Sequence, residues 1–319
     1  MNNCPICEEN GNISFVRMHY NYEILFCPDC NLQFSNPMKD PGKSFYESSS
    51  IYENRSRCTT LSMPLNDWRY QTFFKLCNPE PHQTLLDIGC GDGEFLSLIR
   101  RSGLKVFGIE IDERAVKIAR DTYKLEDVEC GKWEDLYDTG WRDLDIITIY
   151  DVLEHVSSPL SLIQAIFELL SPGGKICLSV PRFDRYPRIF DTVTDFPPHH
   201  FTLWSHKSLN TILSKTGFKE VKIIEKPLTS TDFLIHIFWR VKRITKKLRS
   251  NSMGNKNTSS QEMKKPSTPT KTATALRMVK RTVVLLLSNI DWIFRMFNIG
   301  RGHTLLAVAI KPDQRQYNK

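Results

Sequence analysis

The chain has 319 residues, of which 40% are hydrophobic and 25% charged, and its formal net charge is +7. These values are typical of a globular protein with one large core and a small appended unit. The polar N-terminus has no basic-then-apolar signal pattern and no apolar stretch is long enough to span a bilayer, which argues against secretion and favours a cytoplasmic protein.

The charge is unevenly distributed along the chain. Residues 240–319 carry 18 Lys and Arg against three acids, a net charge of +15, whereas the first 239 residues carry a net charge of −8. A basic end on an acidic body indicates contact with an anionic partner such as lipid headgroups, nucleic acid or a phosphorylated substrate. A solvated, lysine-rich linker is the alternative.

Two CxxC pairs open the chain, Cys4 with Cys7 and Cys27 with Cys30. The apolar residues between the pairs predict a hairpin, and four thiolates at this spacing can bind a tetrahedral zinc ion. We therefore expect residues 1–36 to form a zinc ribbon whose metal is structural, because so short a segment cannot build its own core. Chance pairs or disulfides are the alternative, which a reducing cytosol disfavours.

Helix and strand patterns alternate through the rest of the chain. Residues 37–82 predict a linker with one or two covering helices, including an amphipathic stretch at 65–76. The apolar runs that follow predict strands at residues 84–88, 105–109, 128–130, 145–150, 175–180, 218–225 and 303–310. Helical patterns lie between them, at residues 93–102, 113–123, 159–170 and 205–216. This alternation predicts an α/β fold with a Rossmann-like, doubly wound, mostly parallel seven-stranded sheet, built from residues 83–230 and 300–312.

Residues 231–299 interrupt this pattern before the last strand. Two basic amphipathic helices are predicted there, joined by a polar, low-complexity link at 251–274 that we expect to be disordered. The helices could lie on an anionic membrane surface, pack on the body of the protein or bind RNA phosphates. The aromatic residues fall on the apolar faces instead of alternating with Lys and Arg, which favours a membrane or a lipid-linked substrate over nucleic acid.

A glycine-rich turn follows the first strand of the α/β pattern. Asp87 ends that strand, and Gly89, Gly91 and Gly93 then open a helix with GxGxG spacing. Glycines allow a sharp turn and a close approach of the backbone to a ligand. Glu110 ends the next strand, where a carboxylate can accept hydrogen bonds from both hydroxyls of a ribose. This arrangement predicts a nucleotide-type ligand.

Residues 85–93 resemble motif I of the class I S-adenosylmethionine-dependent methyltransferases. Residues 108–112 are similar to the second motif of that family, and residues 145–156 to the motif IV region of its ubiquinone-biosynthesis-like branch. Residues 170–174 and 303–309 are similar to the turn before the fifth strand and to the last strand. The motifs occur in the family's order and cover most of the predicted α/β domain.

The resemblance implies that S-adenosylmethionine is the cofactor. The implied cofactor-binding residues are Asp87, Gly89, Gly91, Gly93, Glu110, Trp133, Glu134 and Tyr150. The glycines would line the methionine and ribose side, and Asp87 would lie near the methionine amino group. Lys132 stands where the family often has an acid near the adenine, so we place the adenine contact on the next two residues, because an indole can stack on a purine.

Three polar residues follow the fourth strand of the pattern: Asp151, Glu154 and His155. If Asp151 begins a helix, the other two share one face of it, at the edge of the sheet where α/β proteins bind ligands. A comparable group in the ubiquinone O-methyltransferases is linked to a divalent metal, which makes such a metal a candidate cofactor here. The alternative is that these side chains cap and orient the helix.

A second candidate for the chemistry is the pair His199 and His200. Their segment resembles the loop that forms a lid over the methyl acceptor in the same branch. A histidine is a plausible general base near neutral pH, and a polar loop before an N-cap at Ser205 is the alternative.

We interpret the sequence as an S-adenosylmethionine-dependent methyltransferase that acts, most simply at oxygen, on a small-molecule, sugar or glycan, or lipid-linked acceptor. In-line displacement needs alignment and the loss of a proton from the acceptor. An rRNA or tRNA methyltransferase that holds RNA through the ribbon and the basic segment is the alternative enzyme. A non-catalytic zinc-ribbon binding protein is the third hypothesis. The expected location is the cytoplasm, with peripheral attachment to the inner membrane surface as one option.

Overall fold

A computed structural model describes the chain over residues 3–8, 12–39, 67–184, 195–228 and 302–313. The predicted insertion at residues 231–299 lies outside the described residues, as does most of the predicted linker before residue 67. The membrane, lipid and RNA contacts expected of the basic segment therefore stay sequence predictions. Within the described ranges, each helix is too short or too polar to cross a bilayer.

The N-terminal ribbon contains strands β1 (Ser14–His19), β2 (Tyr22–Cys27) and β3 (Leu32–Asn36). All three pair antiparallel, and β1 and β2 form the predicted hairpin between the two CxxC pairs. The sequence reading did not include β3. This strand adds the buried apolar side chains of Leu32 and Phe34, which belong to the same core cluster as the cysteines.

The elements that follow build the main sheet and the helices on its two faces, except for β9, which pairs with the ribbon strand β3. In chain order they are α1 (Trp68–Cys77), β4 (Thr84–Ile88), α2 (Glu94–Arg101), β5 (Lys105–Glu110), α3 (Glu113–Tyr123), β6 (Val128–Cys130), a 3-10 helix (Trp133–Tyr137), β7 (Leu144–Tyr150), α4 (Pro159–Leu169), β8 (Leu170–Pro181), β9 (Thr202–Leu203), α5 (His206–Thr216), β10 (Lys219–Glu225) and β11 (Thr304–Ile310).

The main sheet has seven strands in the order β10-β11-β8-β7-β4-β5-β6. The central strands pair in parallel, and β10 and β11 are antiparallel. Both faces of the sheet are covered, which is why β7 is a nearly continuous apolar run with Ile146, Ile147 and Ile149 buried. The structure confirms the predicted α/β, mostly parallel, seven-stranded fold.

One predicted boundary is wrong. The turn at residues 171–174 was expected to precede a strand at residue 175, but β8 already begins at Leu170. The reason is that Lys311, after the last strand, exchanges backbone hydrogen bonds with this turn: its carbonyl accepts the N–H of Gly173, and its N–H donates to Gly174, both at 2.8 Å. The sequence of the turn alone does not reveal this distant partner.

The order of the strands reverses between β4 and β7. From β4 the chain moves outward to β5 and β6, and it then returns to place β7 on the other side of β4. The loops after these two strands leave in opposite directions, and the crevice between them is where open α/β sheets bind ligands. The glycine-rich turn follows β4, and the segment with Asp151 follows β7.

A substitution at Trp204, which lies outside the main sheet, tests whether the core extends to this residue. Its side chain is completely buried and its indole N–H donates to Thr202 Oγ1 at 3.0 Å. We expect Trp204→Ala to lower the free energy of unfolding by about 3–5 kcal/mol, because it leaves a large cavity. Urea denaturation measures this loss. Tyr20→Ala is the control: this ring is 77% exposed, and a change well above about 0.5 kcal/mol there would show that the comparison does not report burial.

Candidate functional site

The glycine-rich turn is both tightly packed and open. Gly89, Gly91 and Gly93 have φ values of +75°, +56° and +83°, in the left-handed region that favours glycine. A Cβ on Gly89 would lie 2.4 Å from Val152 Cγ2, whereas a Cβ on Gly91 would meet nothing within 4 Å. The outer glycines are therefore required by packing, and the middle one presents bare backbone to the crevice.

Glu110 joins this turn to the end of β5. Its Oε2 accepts the backbone N–H of Gly91, and its Oε1 accepts that of Asp112, both at 2.9 Å. Burial raises the pKa of Glu110, and these backbone hydrogen bonds oppose that rise. Each carboxylate oxygen retains acceptor capacity for a ligand hydroxyl. The predicted ribose-binding acid is thus fixed in place beside the glycine turn.

Asp87 lies beneath the turn in a fully enclosed position. Thr148 Oγ1 donates a hydrogen bond of 2.6 Å to its Oδ1. Burial raises the pKa of Asp87 to about 7, with Thr148 acting in the opposite direction and the nearby Glu110 charge adding to the rise. A cation brought next to the buried Asp87 and the half-buried Glu110 is favoured, because it offsets the repulsion between the two carboxylates. This part of the crevice is suited to a positively charged ligand group.

Asp151 does not begin a helix, so the condition under which Glu154 and His155 would share one helix face is not met. Its φ is +56°, and its N–H bonds to the carbonyl of Ser179 on β8, so the chain turns away from helical geometry. Ser179 Oγ donates to Asp151 Oδ1 at 2.9 Å, and the guanidinium of Arg69 binds the other carboxylate oxygen. Asp151 is therefore held in an ion pair and is not placed to act as a base.

Arg69 is a site residue that the sequence reading missed. It lies in α1, and besides Asp151 it binds Asp67 Oδ2 at 2.7 Å. The two carboxylates raise the pKa of Arg69 although its burial opposes this, so the guanidinium stays charged. Nothing local in the sequence links α1 to the end of β7, because the two partners are 82 residues apart.

Glu154, His155 and His200 come together at the carboxyl end of β7. The imidazole rings of His155 and His200 have centroids 4.7 Å apart. One ligand atom from each of the three side chains lies within 4.8 Å of the others, a spacing that one metal ion could bridge. The carbonyl of His199 contacts His155 Nδ1 at 2.5 Å, and burial lowers the pKa of His199. The structure thus brings together the side chains of Glu154, His155 and His200, and His199 joins them through its backbone carbonyl. Asp151 lies outside this group.

The residues predicted to contact adenine lie on one side of the 3-10 helix. Trp133 and Glu134 line a groove of about 630 Å³ together with side chains of α4 and α5. Tyr150 is partly buried, with its hydroxyl 3.4 Å from Cys177 Sγ and its ring centroid 5.2 Å from that of Phe95. Their contacts with a cofactor stay predictions.

The four ribbon cysteines converge on one point. Cys4 Sγ lies 3.5 Å from Cys30 Sγ, and Cys7 Sγ lies 3.6 Å from Cys27 Sγ. All four sulfurs are within 4.8 Å of one another. Sulfurs bound to tetrahedral zinc at about 2.3 Å are about 3.8 Å apart. The spacing and the all-thiolate donor set therefore fit zinc.

Comparisons with known proteins agree with this geometry. Residues 64–223 match the sequence model of a family described as a methyltransferase domain. The ubiquinone biosynthesis O-methyltransferase of Idiomarina loihiensis is 33% identical over 99 residues, which are 30% of this chain and 41% of that protein. The enzyme of the same name from Xanthomonas campestris pv. campestris (strain B100) is 36% identical over 115 residues, 34% of this chain and 47% of that protein. The chain thus spans about half the length of these relatives.

Among solved structures, phosphoethanolamine N-methyltransferase 2 of Haemonchus contortus, in complex with S-adenosyl-L-methionine, superposes with a TM-score of 0.53. The match covers 93% of this chain and 70% of that one at 15% sequence identity. An identity this low shows a shared fold alone. It places the chain's sheet and helices in the same arrangement without informing on its acceptor.

The raised pKa of Asp87 predicts a pH-dependent stability. The folded chain binds this proton with a pKa of about 7 against an ordinary value of 3.8. Proton binding by Asp87 therefore stabilises the folded state fully below about pH 4, and this stabilisation is lost as the pH rises toward 7. Relative to Asp87→Asn, we expect the wild-type free energy of unfolding to fall over this interval by at most about 4 kcal/mol. Urea titrations at several pH values measure the difference, and a constant difference would contradict the prediction.

Proposed function

This chain belongs to the family of methyltransferase domains, and we propose that it transfers the methyl group of S-adenosylmethionine to an oxygen atom of a small-molecule acceptor. The observation that carries the donor is the half-buried Glu110 carboxylate, which accepts the N–H of Gly91 at the crevice between β4 and β7. The names of the O-methyltransferase relatives support a small molecule as the acceptor.

The residues around the glycine turn fit such a donor. Gly91 leaves room for the cofactor beside its backbone, and Glu110 is fixed where ribose hydroxyls would be bound. Asp87 would lie toward the methionine amino group, whose positive charge favours the ionised carboxylate. When bound, the sulfonium supplies an electrophilic methyl group. Contacts of Trp133, Glu134 and Tyr150 with this cofactor are part of the same proposal.

The acceptor side needs a group that removes a proton from a hydroxyl. We assign this role to the cluster of His199, His200 and His155 with the buried Glu154, at the end of the strand next to the glycine turn. Burial lowers the pKa of His199, which favours the neutral imidazole that a base requires. His200 is the histidine that faces His155, and we take it as the first candidate for the base.

A divalent metal is a second way to use the same cluster. A carboxylate and two imidazoles are suitable ligands for such an ion, which would lower the pKa of a bound acceptor hydroxyl. The ligands we propose are Glu154, His155 and His200. Asp151, the first acid of the sequence motif, is not among them because it is bound to Arg69 and Ser179. Zinc, in contrast, is proposed for the four ribbon cysteines as a structural ion.

Glu110→Gln tests the donor site. The amide group of Gln would turn an N–H toward the N–H of Gly91 or of Asp112, so one of two hydrogen bonds is replaced by repulsion. We expect the affinity for S-adenosylhomocysteine, measured by calorimetry, to fall by about ten- to a hundredfold. Glu113→Gln is the matched control, because Glu113 is exposed at the start of α3. Equal affinities for wild type and Glu110→Gln would refute the donor assignment.

Radiolabelled S-adenosylmethionine and fractionated cell extract test the acceptor. We expect label in the small-molecule fraction, and His200→Ala to reduce the rate of labelling by about a hundredfold or more with unchanged S-adenosylhomocysteine affinity. A rate of the dialysed wild type that rises with added Mg²⁺ would favour the metal over the general base. Label in RNA, glycan or lipid would replace the small-molecule acceptor, and no transfer despite donor binding would favour a non-catalytic protein.

A further inference from the structure

The strand β9 belongs to the sheet of the ribbon and not to the main sheet. The ribbon sheet has the order β1-β2-β3-β9, with Gln33 opposite Leu203 and Phe34 opposite Thr202. β9 lies within residues 195–205, which we call the histidine segment because it contains the two candidate histidines of the acceptor side. The ribbon is thus paired directly with the part of the chain that carries these residues.

The peptide groups of Phe201 connect the ribbon to the crevice. Its carbonyl accepts the backbone N–H of Ser35 on β3 at 2.8 Å, and its own N–H donates to the carbonyl of Glu154 at 2.8 Å. The N–H of Thr202 also points to the Glu154 carbonyl, at 3.4 Å. A displacement of β3 would therefore be transmitted through one residue to the loop with Glu154 and His155.

Side chains hold the start of the segment on the ribbon as well. Phe196 is buried in a small cluster with Ile24 of β2 and Leu203 of β9. The guanidinium carbon of Arg17 lies 4.0 Å from the centre of the Phe196 ring, and the His19 ring lies 5.1 Å from it. Both ends of the turn that carries the histidines are therefore packed on ribbon strands.

The ribbon contacts α5 through the backbone of its cysteine turns. Ser205 Oγ donates to the carbonyl of Asn31, which follows the last cysteine, at 2.8 Å. Lys207 Nζ donates to the carbonyl of Pro28 at 3.3 Å, and Lys215 Nζ to that of Cys7 at 3.0 Å. A zinc ion bound by the four thiolates would fix these turns, because the turns contain or adjoin them.

We propose that the zinc ribbon positions the histidine segment for acceptor-side chemistry through the pairing of β3 with β9. The inference rests on the proposed function in the role it gives to the histidines and in the zinc ion it assigns to the ribbon cysteines. Glu110, whose hydrogen bonds hold the glycine turn and the start of α3, takes part in none of these contacts. Loss of the ribbon's order should thus impair transfer, which is sensitive to misplacement of about 1 Å, and spare donor binding.

Ser35→Pro is the sharpest variant to test this. Proline has no N–H, so it removes the hydrogen bond to Phe201, while the pairing of β2 with β3 at this residue uses other groups. Ser35→Ala is the matched control, because the buried Ser35 hydroxyl has no hydrogen-bond partner in the described structure and its loss leaves the N–H in place. Amide exchange of peptides covering residues 199–203, zinc content and S-adenosylhomocysteine affinity are measured on the full chain.

For Ser35→Pro we expect amide exchange at Phe201 and Thr202 to be at least about tenfold faster and the transfer rate about tenfold lower. Donor affinity and donor KM should stay within about twofold, zinc content should stay at one per chain, and Ser35→Ala should behave as wild type. Unchanged exchange in residues 199–203 would overturn the proposal, as would an equal loss of donor affinity. Because exchange is measured without an acceptor, it decides the proposal even if the acceptor assignment fails.

Two further measurements cover a Ser35→Pro chain that does not fold. Ser205→Gly removes the hydrogen bond to Asn31 but keeps a residue that helix N-caps tolerate. Chelation of zinc from the wild-type chain tests the metal itself. Both should speed exchange in residues 199–203 with donor affinity preserved. Protection that survives chelation would overturn the role of the metal.

Discussion

The contact of Val152 with the backbone of Gly89 is the constraint on which the crevice depends. These residues follow the two adjacent strands β4 and β7, at the point where the order of the strands reverses. A Cβ on Gly89 would come within 2.4 Å of Val152 Cγ2. The absence of a side chain at Gly89 therefore sets the distance between the donor loop and the acceptor loop, and the reaction needs that distance because both partners of an in-line displacement must be aligned.

The sequence alone predicted the structural features that depend on local residue patterns. Strands buried on both faces are apolar runs, and β4, α3 and β6 have the predicted bounds. The sharp turn after β4 could be predicted because glycine is the residue that favours the left-handed φ found at Gly89. Glu110 could be found because its place at the end of the second strand follows from the βαβ unit. The cysteine cluster follows from the spacing of its pairs.

The features that the sequence did not predict depend on partners far apart in the chain. A helix beginning at Asp151 was considered from the sequence, but a hydrogen bond to Ser179 and the ion pair with Arg69 accompany a different backbone. The two-residue strand β9 has no periodicity of its own and exists because β3 pairs with it. Tertiary contacts override local propensity in both cases, and no pattern in a short window of sequence carries that information.

This difference between local and distant contacts also divides the two halves of the site. The donor side is built from one βαβ unit, in which Gly91 and Glu110 are 19 residues apart. The acceptor side combines Glu154, the histidine segment and, through Ser35, the ribbon. A substitution in the ribbon can therefore alter the position of His199 and His200 without touching a residue that holds the donor. The hydrogen bonds that Glu110 makes at the glycine turn involve neither the ribbon nor the histidine segment, so we expect donor binding to be largely preserved when acceptor geometry changes.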